Sequence, residues 1–250
     1  MNQANLERCK LIACAAVIEE MTPFIPSSMS YEVLDFGLHI DPKSLKRALQ
    51  NAINASAPDI ETVLLGYGLC SQAVVGLRSG SRTLIIPRVD DCIAIFLGSA
   101  AEYQKQYRSV PGTYYLTKGW IEFGDTPFSE YDILVKRYGE QIAQRIINQI
   151  LKNYTRLAFI STGNNKLEHY QERARSLAGQ FGLRYEEIKG SDVIIRKMLY
   201  GPWDHRFITI PPGKTVSFFD FRNNRPQLPV RLPTPVSSPT CFHNLLPRQP

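Results

Sequence analysis

Short apolar runs alternate with amphipathic stretches from Lys10 to about Asp220, the spacing expected when strands feed helices. Lys10-Leu-Ile-Ala-Cys-Ala-Ala-Val17 reads as a buried strand, and Ile18-Glu-Glu-Met21 as a brief helix or turn after it. Tyr31 to Ile40 carries the alternating apolar residues of a second strand. Asp41-Pro42 then supplies an N-cap and a first-turn proline for an amphipathic helix from about Lys43 to Ala55. Glu61 to Cys70 repeats the arrangement: an apolar strand runs into a Gly66-Tyr-Gly68 turn, with Ser71 placed to cap a helix from Gln72. Ser81 to Pro87 is the next strand, and Arg88-Val-Asp-Asp-Cys92 follows its end before an apolar helical run to Leu97.

A polar helix then extends to about Arg108, and Val110 to Glu122 reads as a loop with one short extended piece. Leu134, Tyr138, Ile142, Ile146 and Ile150 form the stripe of a single long helix from about Tyr131 to Asn153. Alternation resumes with strand Arg156 to Ser161, helix Leu167 to Phe181, strand Arg184 to Ile188, helix Asp192 to Leu199 and strand Phe207 to Ile210. Thr215 to Asp220 is a candidate edge strand. The expected fold is α/β and Rossmann-like in three layers, with mainly parallel sheets flanked by helices. Its expected divisions are an N-terminal half over 1–128, a C-terminal half over 129–221 and a disordered tail over 222–250, where seven of the 17 prolines fall.

Composition changes this picture only at its margins. At 250 residues and 44% hydrophobic content, the chain buries a core without disulfide staples. Five cysteines, an odd number lying in or beside apolar runs, fit a reducing, cytoplasmic compartment. Met1 to Arg8 lacks the apolar stretch of a signal peptide, and no run reaches the roughly 20 apolar residues of a membrane span. The net charge of +6 is dispersed, and part of it comes from Arg222, Arg225, Arg231 and Arg248, so a solvated basic surface is favoured over nucleic-acid binding.

Candidate chemistry concentrates where strands end. In a parallel sheet the loops after the carboxyl ends of the strands gather on one edge, where ligands bind, and Cys14, Cys70 and Cys92 each close or follow a strand. Three thiolates there could hold zinc with one open position, or a corner-open iron-sulfur cluster. Buried single cysteines are also ordinary small hydrophobes, and no Cys-x-x-Cys pair is present. Asp91 beside Cys92 reads either as an acceptor serving the site or as the cap of the next helix, as does Asp90. Glu20 is a weaker candidate of the same kind. Tyr114, Tyr115, Lys118, Trp120 and Glu122 crowd one segment that either lines a pocket or plugs the core. Gly66-Tyr-Gly68 lacks the third glycine of a dinucleotide fingerprint at residue 71 and reads as a close-packing turn. Ser161-Thr-Gly-Asn-Asn165 is a turn that needs no ligand to explain it, and His39, His169 and His205 are scattered, each expected at the surface.

Ile12-Ala-Cys14, Tyr67-Gly-Leu-Cys70, Pro87-Arg-Val-Asp-Asp-Cys-Ile93, Leu97-Gly-Ser99, Pro111-Gly-Thr-Tyr114 and Gly119-Trp-Ile-Glu122, in this order, resemble the family called domain of unknown function 1638. The resemblance implies that Cys14, Cys70 and Cys92 belong to one site. It implies no established activity. Some members are encoded near corrinoid-dependent methyltransferases, which points to thiol or methyl-transfer chemistry and to a corrinoid-methyltransferase-related partner. The proline-rich tail and Ser71-Gln72 after Cys70, where relatives are more glycine-rich, depart from the pattern.

The combined expectation is a cytoplasmic metal-binding α/β enzyme with ligands Cys14, Cys70 and Cys92, zinc as cofactor and a 4Fe-4S cluster as the alternative. Asp91 and Tyr114 are its expected catalytic side chains, acting on a small-molecule substrate. The contrasting expectation is a non-catalytic module that binds a small anion or a partner protein in the same cleft.

Overall fold

The structure, a computed structural model, describes residues 6–124, 126–162 and 167–222. Among them are strands β1 (Cys9–Cys14), β2 (Ser30–Leu34), β3 (Thr62–Leu65), β4 (Thr83–Pro87), β5 (Thr113–Leu116), β6 (Arg156–Ser161), β7 (Arg184–Lys189) and β8 (Phe207–Ile210). The helices are α1 (Ala15–Met21), α2 (Pro42–Asn54), α3 (Cys92–Phe96), α4 (Ala100–Ser109), α5 (Lys118–Phe123), α6 (Pro127–Tyr138), α7 (Glu140–Leu151), α8 (Glu168–Gln180) and α9 (Val193–Tyr200).

Two sheets organise these elements. The first has the order β2-β1-β3-β4-β8, and the second the order β5-β6-β7. β1 pairs in parallel with β2 and β3, β3 pairs in parallel with β4, and β8 closes the far edge antiparallel to β4. Both ladders of the second sheet are parallel. This is the mainly parallel, helix-flanked α/β fold expected from the alternation. Strands covered on both faces need apolar residues at every position, and β1, β3 and β4 are buried almost throughout. β2 lies at an edge and leaves Tyr31 and Val33 exposed.

Several boundaries differ from the expectation, each for a local reason. Asp41 caps α2 by accepting from the Lys43 amide at 3.0 Å, with Pro42 at the first position, as expected. The single long helix is instead α6 and α7, interrupted at Gly139, whose φ of 80° no helix interior accepts. Val110 to Glu122 is ordered as β5 and α5, the latter started by the Thr117 hydroxyl accepting from the Trp120 amide. After β3 there is no α-helix from Gln72; Cys70–Gln72 forms a 3-10 turn. Thr215 makes one isolated bridge to Arg78, and Phe218–Phe221 is a 3-10 turn, so no edge strand forms there.

The expected division at residue 128 does not follow the sheets, because β5 joins the second sheet and β8 returns to the first. Beyond Arg222 the expected disordered tail, with Cys241 and His243, lies outside the described residues, as do Gly163 to Asn165 of the expected turn after β6. Among the described residues no helix is long and apolar enough to cross a membrane.

The carboxyl ends of the two sheets close on each other. Glu20 on α1, 1% exposed, accepts from the Gly119 amide at 2.9 Å and from the Thr162 hydroxyl. A Cβ on Gly119 would stand 2.3 Å from the Ala16 carbonyl oxygen, so only glycine lets α5 approach α1 this closely. On the other side the Ser191 amide, past β7, donates to the Phe96 carbonyl at 2.8 Å.

Candidate functional site

In the first sheet the chain runs from β1 outward to β2, then crosses back past β1 to β3 and β4. That reversal makes a topological switch point at the carboxyl ends of β1 and β3, the usual ligand position in open parallel sheets. Cys14 ends β1, Cys70 follows β3 after Gly66-Tyr-Gly-Leu69, and Cys92 follows β4 after Arg88-Val-Asp-Asp91. All three expected site cysteines therefore stand at the switch point or beside it. Cys9 opens β1 at the opposite end of the strand.

The loops carrying Cys70 and Cys92 are stitched together. The Leu69 and Cys70 amides donate to the Val89 and Asp90 carbonyls, both at 2.9 Å. A Cβ on Gly68 would lie 2.7 Å from the Val89 carbonyl oxygen, which explains the second glycine of Gly66-Tyr-Gly68 as a close-approach residue. Cys70 and Gln72 adopt left-handed backbone at φ 43° and 68°, which costs about 1 to 2 kcal/mol each outside glycine. Such strain clusters at functional positions.

The thiols act on one another electrostatically. Burial pushes the Cys14 thiol up to about 11, against the pull of the Val17 and Ala16 amides at the start of α1. Cys70 is raised by burial, then by Asp91 and Cys14. Cys92 is raised well above its ordinary value by burial, Asp91, Cys14 and Cys70. Tyr67 sits among them: burial and all three cysteines raise its phenol, and its hydroxyl has no hydrogen-bond partner among the described residues. Next to it, at 5.8 Å between ring centroids, is His39, whose buried Nε2 likewise has no partner among the described residues. Burial lowers the His39 pKa to about 4, so the ring is neutral at pH 7.

All of these positions except Cys14 fall within a stretch that a family model matches, residues 33–199 of the chain. The chain belongs to the DUF1638 family of proteins of unknown function. No curated protein matches it, and no solved structure matches it. The DUF1638 match includes His39, Tyr67, Cys70, Asp91 and Cys92, whereas Cys14 on the central strand β1 precedes it.

Asp91 in this DUF1638 chain is a helix cap that also stands beside two of the thiols. Its Oδ1 accepts from the Ile93 amide at 2.9 Å and so caps α3, while its charge acts on Cys70 and Cys92. Burial and then Asp90 raise its pKa to about 6, offset by the Ile93 and Ala94 amides and the Tyr103 hydroxyl. Tyr103 on α4 stands 6.2 Å from Tyr115, centroid to centroid. Behind Tyr115 is the buried guanidinium of Arg156, which donates to Thr113 at 2.8 Å, Glu186 at 3.0 Å and Gln106 at 3.1 Å.

The expected catalytic role of Tyr114 does not fit its position. Successive residues of a strand point to opposite faces, and Tyr114 packs against Phe128 and Tyr154 at 5.0 and 5.4 Å in an aromatic core. Its neighbour Tyr115 is the residue that feels Asp91. Trp120 is also buried, so this segment fills the core more than it lines a pocket. Glu20 ties the sheets together, as described above. His39 is the reverse case, expected at the surface and found with its Nε2 sealed beside Tyr67. The signal that could have revealed it is positional, since it follows the end of β2 as the cysteines follow their strands. Among the described residues no three His, Cys, Asp or Glu side chains stand in a ready metal-binding arrangement.

Proposed function

We propose that this DUF1638 protein is a metal-binding α/β enzyme in which Cys14, Cys70 and Cys92 hold zinc at the switch point. The observation that carries this reading is the convergence of three thiols around the hydroxyl of Tyr67, which has no partner among the described residues, with Asp91 beside two of those thiols. With only protons to neutralise them, each thiol raises the next. A divalent cation inverts that logic, because it favours the thiolates that repel one another in its absence. Thiolates are also far better acceptors than thiols, so a loaded site supplies the partner that Tyr67 lacks.

The thiols do not stand in coordination geometry, so loading requires their side chains to draw together as three protons leave. Cys70, on a strained turn, is the ligand with most to gain from such a shift. Bound zinc with an open position supplies Lewis-acid activation of a substrate thiol or water. Asp91, held by the Ile93 amide and approached by the Tyr103 hydroxyl, is the proton acceptor beside the site.

Metal analysis of the full chain purified without oxygen tests the reading. Stoichiometric zinc is expected, lost in Cys70→Ser and retained in Cys9→Ser. Iron with acid-labile sulfide and visible absorption would replace zinc by the 4Fe-4S alternative. A protein that stays metal-free after incubation with zinc, or that loads equally well as Cys70→Ser, overturns both.

A further inference from the structure

The loop after β2 reads Asp35-Phe-Gly-Leu-His-Ile40, and its first residues build one wall of an open cleft of about 470 Å³. Ala15, Val33, Leu34, Phe36 and Phe123 supply apolar lining, and among the described residues around it Asp35 is the one ionisable group. That volume suits a small molecule. Val33 and Phe123 are 47% and 46% exposed, and Asp35 is exposed too, so apolar surface and a carboxylate face solvent together at the strand ends. Asp35 needs only Oδ1 to cap the local turn, where it accepts from the Gly37 amide at 2.7 Å.

We propose that this cleft binds a small organic cation of the alkylammonium class. Phenyl rings attract such a cation through their negative faces, and Phe36 and Phe123 both line the cleft; the aliphatic wall accepts its methyl groups, and Asp35 balances its charge. A small anion, the alternative ligand class expected from sequence, meets a carboxylate here and no basic side chain among the described lining residues. The chain carries net charge +6, so the sign of the cleft is local and opposes that of the whole molecule.

The cleft also borders the thiol cluster. Ala15 in its lining directly follows Cys14, and Phe36 stacks at 5.2 Å on His39, which stacks in turn on Tyr67. A cation held here rests within reach of the strand ends that carry the sulfurs. Its binding does not require the thiols to hold metal, so the two readings stand or fall separately.

Titration of the full chain with tetramethylammonium chloride, followed by NMR or calorimetry, tests the site, with tert-butanol as a neutral probe of similar shape and sodium acetate as the anion. Saturable binding of tetramethylammonium is expected, in Cys70→Ser as in the parent chain. Asp35→Asn, which keeps an oxygen for the Gly37 amide, weakens it about fivefold, and Phe123→Ala about threefold. Equal binding of tert-butanol, preference for acetate, no saturable binding, or an affinity unchanged by Asp35→Asn overturns the proposal.

Discussion

The two sheets are built alike and used differently. In both, parallel strands feed helices, but the first sheet runs β2-β1-β3-β4 and the second β5-β6-β7. Only the first order reverses direction, and only a reversal sends consecutive crossovers to opposite sides and opens a crevice at the strand ends. The residues follow that difference. Cys14 ends β1, and strained Cys70 and Cys92 follow β3 and β4, whereas β5 and β6 are followed by Thr117, which caps α5, and Thr162, which holds Glu20. Parallel pairing alone therefore does not set where a site can form; the order of the strands does.

If this contrast is right, damage to the second sheet lowers stability while damage to the first changes the site. The largest expected effect is Arg156→Ala, which strands Thr113 and Gln106 and leaves Glu186 only the exposed Arg184 as its ion-pair partner. A loss of about 3 kcal/mol is expected, at the low end for a broken buried pair because Glu186 is partly exposed. Chemical denaturation measures it, and metal content per folded chain should not change. A small loss of stability accompanied by loss of metal would break the contrast.

A comparable effect is expected at His39, but only in acid. Its folded pKa of about 4 lies below the ordinary 6.5, so the unfolded chain binds more protons between those values. The group costs nothing above about pH 6.5 and destabilises progressively as pH falls toward 4, by up to about 3 kcal/mol. Asp91, raised to about 6, works in the opposite sense over the same range, because its folded form is the one that holds the proton. The parent curve therefore combines the two, and the informative measurement is a difference. Relative to the parent, His39→Phe should gain stability between pH 7 and pH 4, and no relative gain would mean that the ring is not sealed.

The smallest expected effect is also the most specific. Cys70→Gly relieves left-handed strain at φ 43° and should stabilise the metal-free chain by about 1 kcal/mol while abolishing zinc uptake. A stabilised variant that cannot load metal marks a residue kept for the site and not for the fold. A destabilised one places Cys70 among the packing residues.

Much of the fold was legible because its signals are local. Arg156 to Ser161 and Phe207 to Ile210 are apolar runs with turn residues on either side, and both strands lie where the pattern put them. Asp41-Pro42 announced α2 by cap chemistry alone. The misreadings came where one residue overruled a periodic pattern, as Gly139 did in splitting α6 from α7. They also came where pairing with a distant strand gave order to a segment rich in turn formers, as β6 does for β5. The cysteines were legible as strand-end residues, whereas Tyr67 and His39 carried no motif. The choice between Tyr114 and Tyr115 turned on which face of β5 meets α4, a question of register that spacing cannot answer.

By itself, then, the chain's order of residues determined most of the strands and helices, that the strands are mostly parallel, and that three thiols close or follow strands. Those are consequences of local periodicity and of burial on both faces. Tertiary structure alone decided that β2 lies outside β1, so that the switch point falls at Cys14 and Cys70. It also decided that Tyr67 beside the sulfurs and His39 beside Tyr67 keep polar atoms without a partner among the described residues, and that Asp35, Phe36 and Phe123 line one open cleft. Strand order and side-chain convergence depend on contacts between residues far apart in the chain, and no local pattern encodes them.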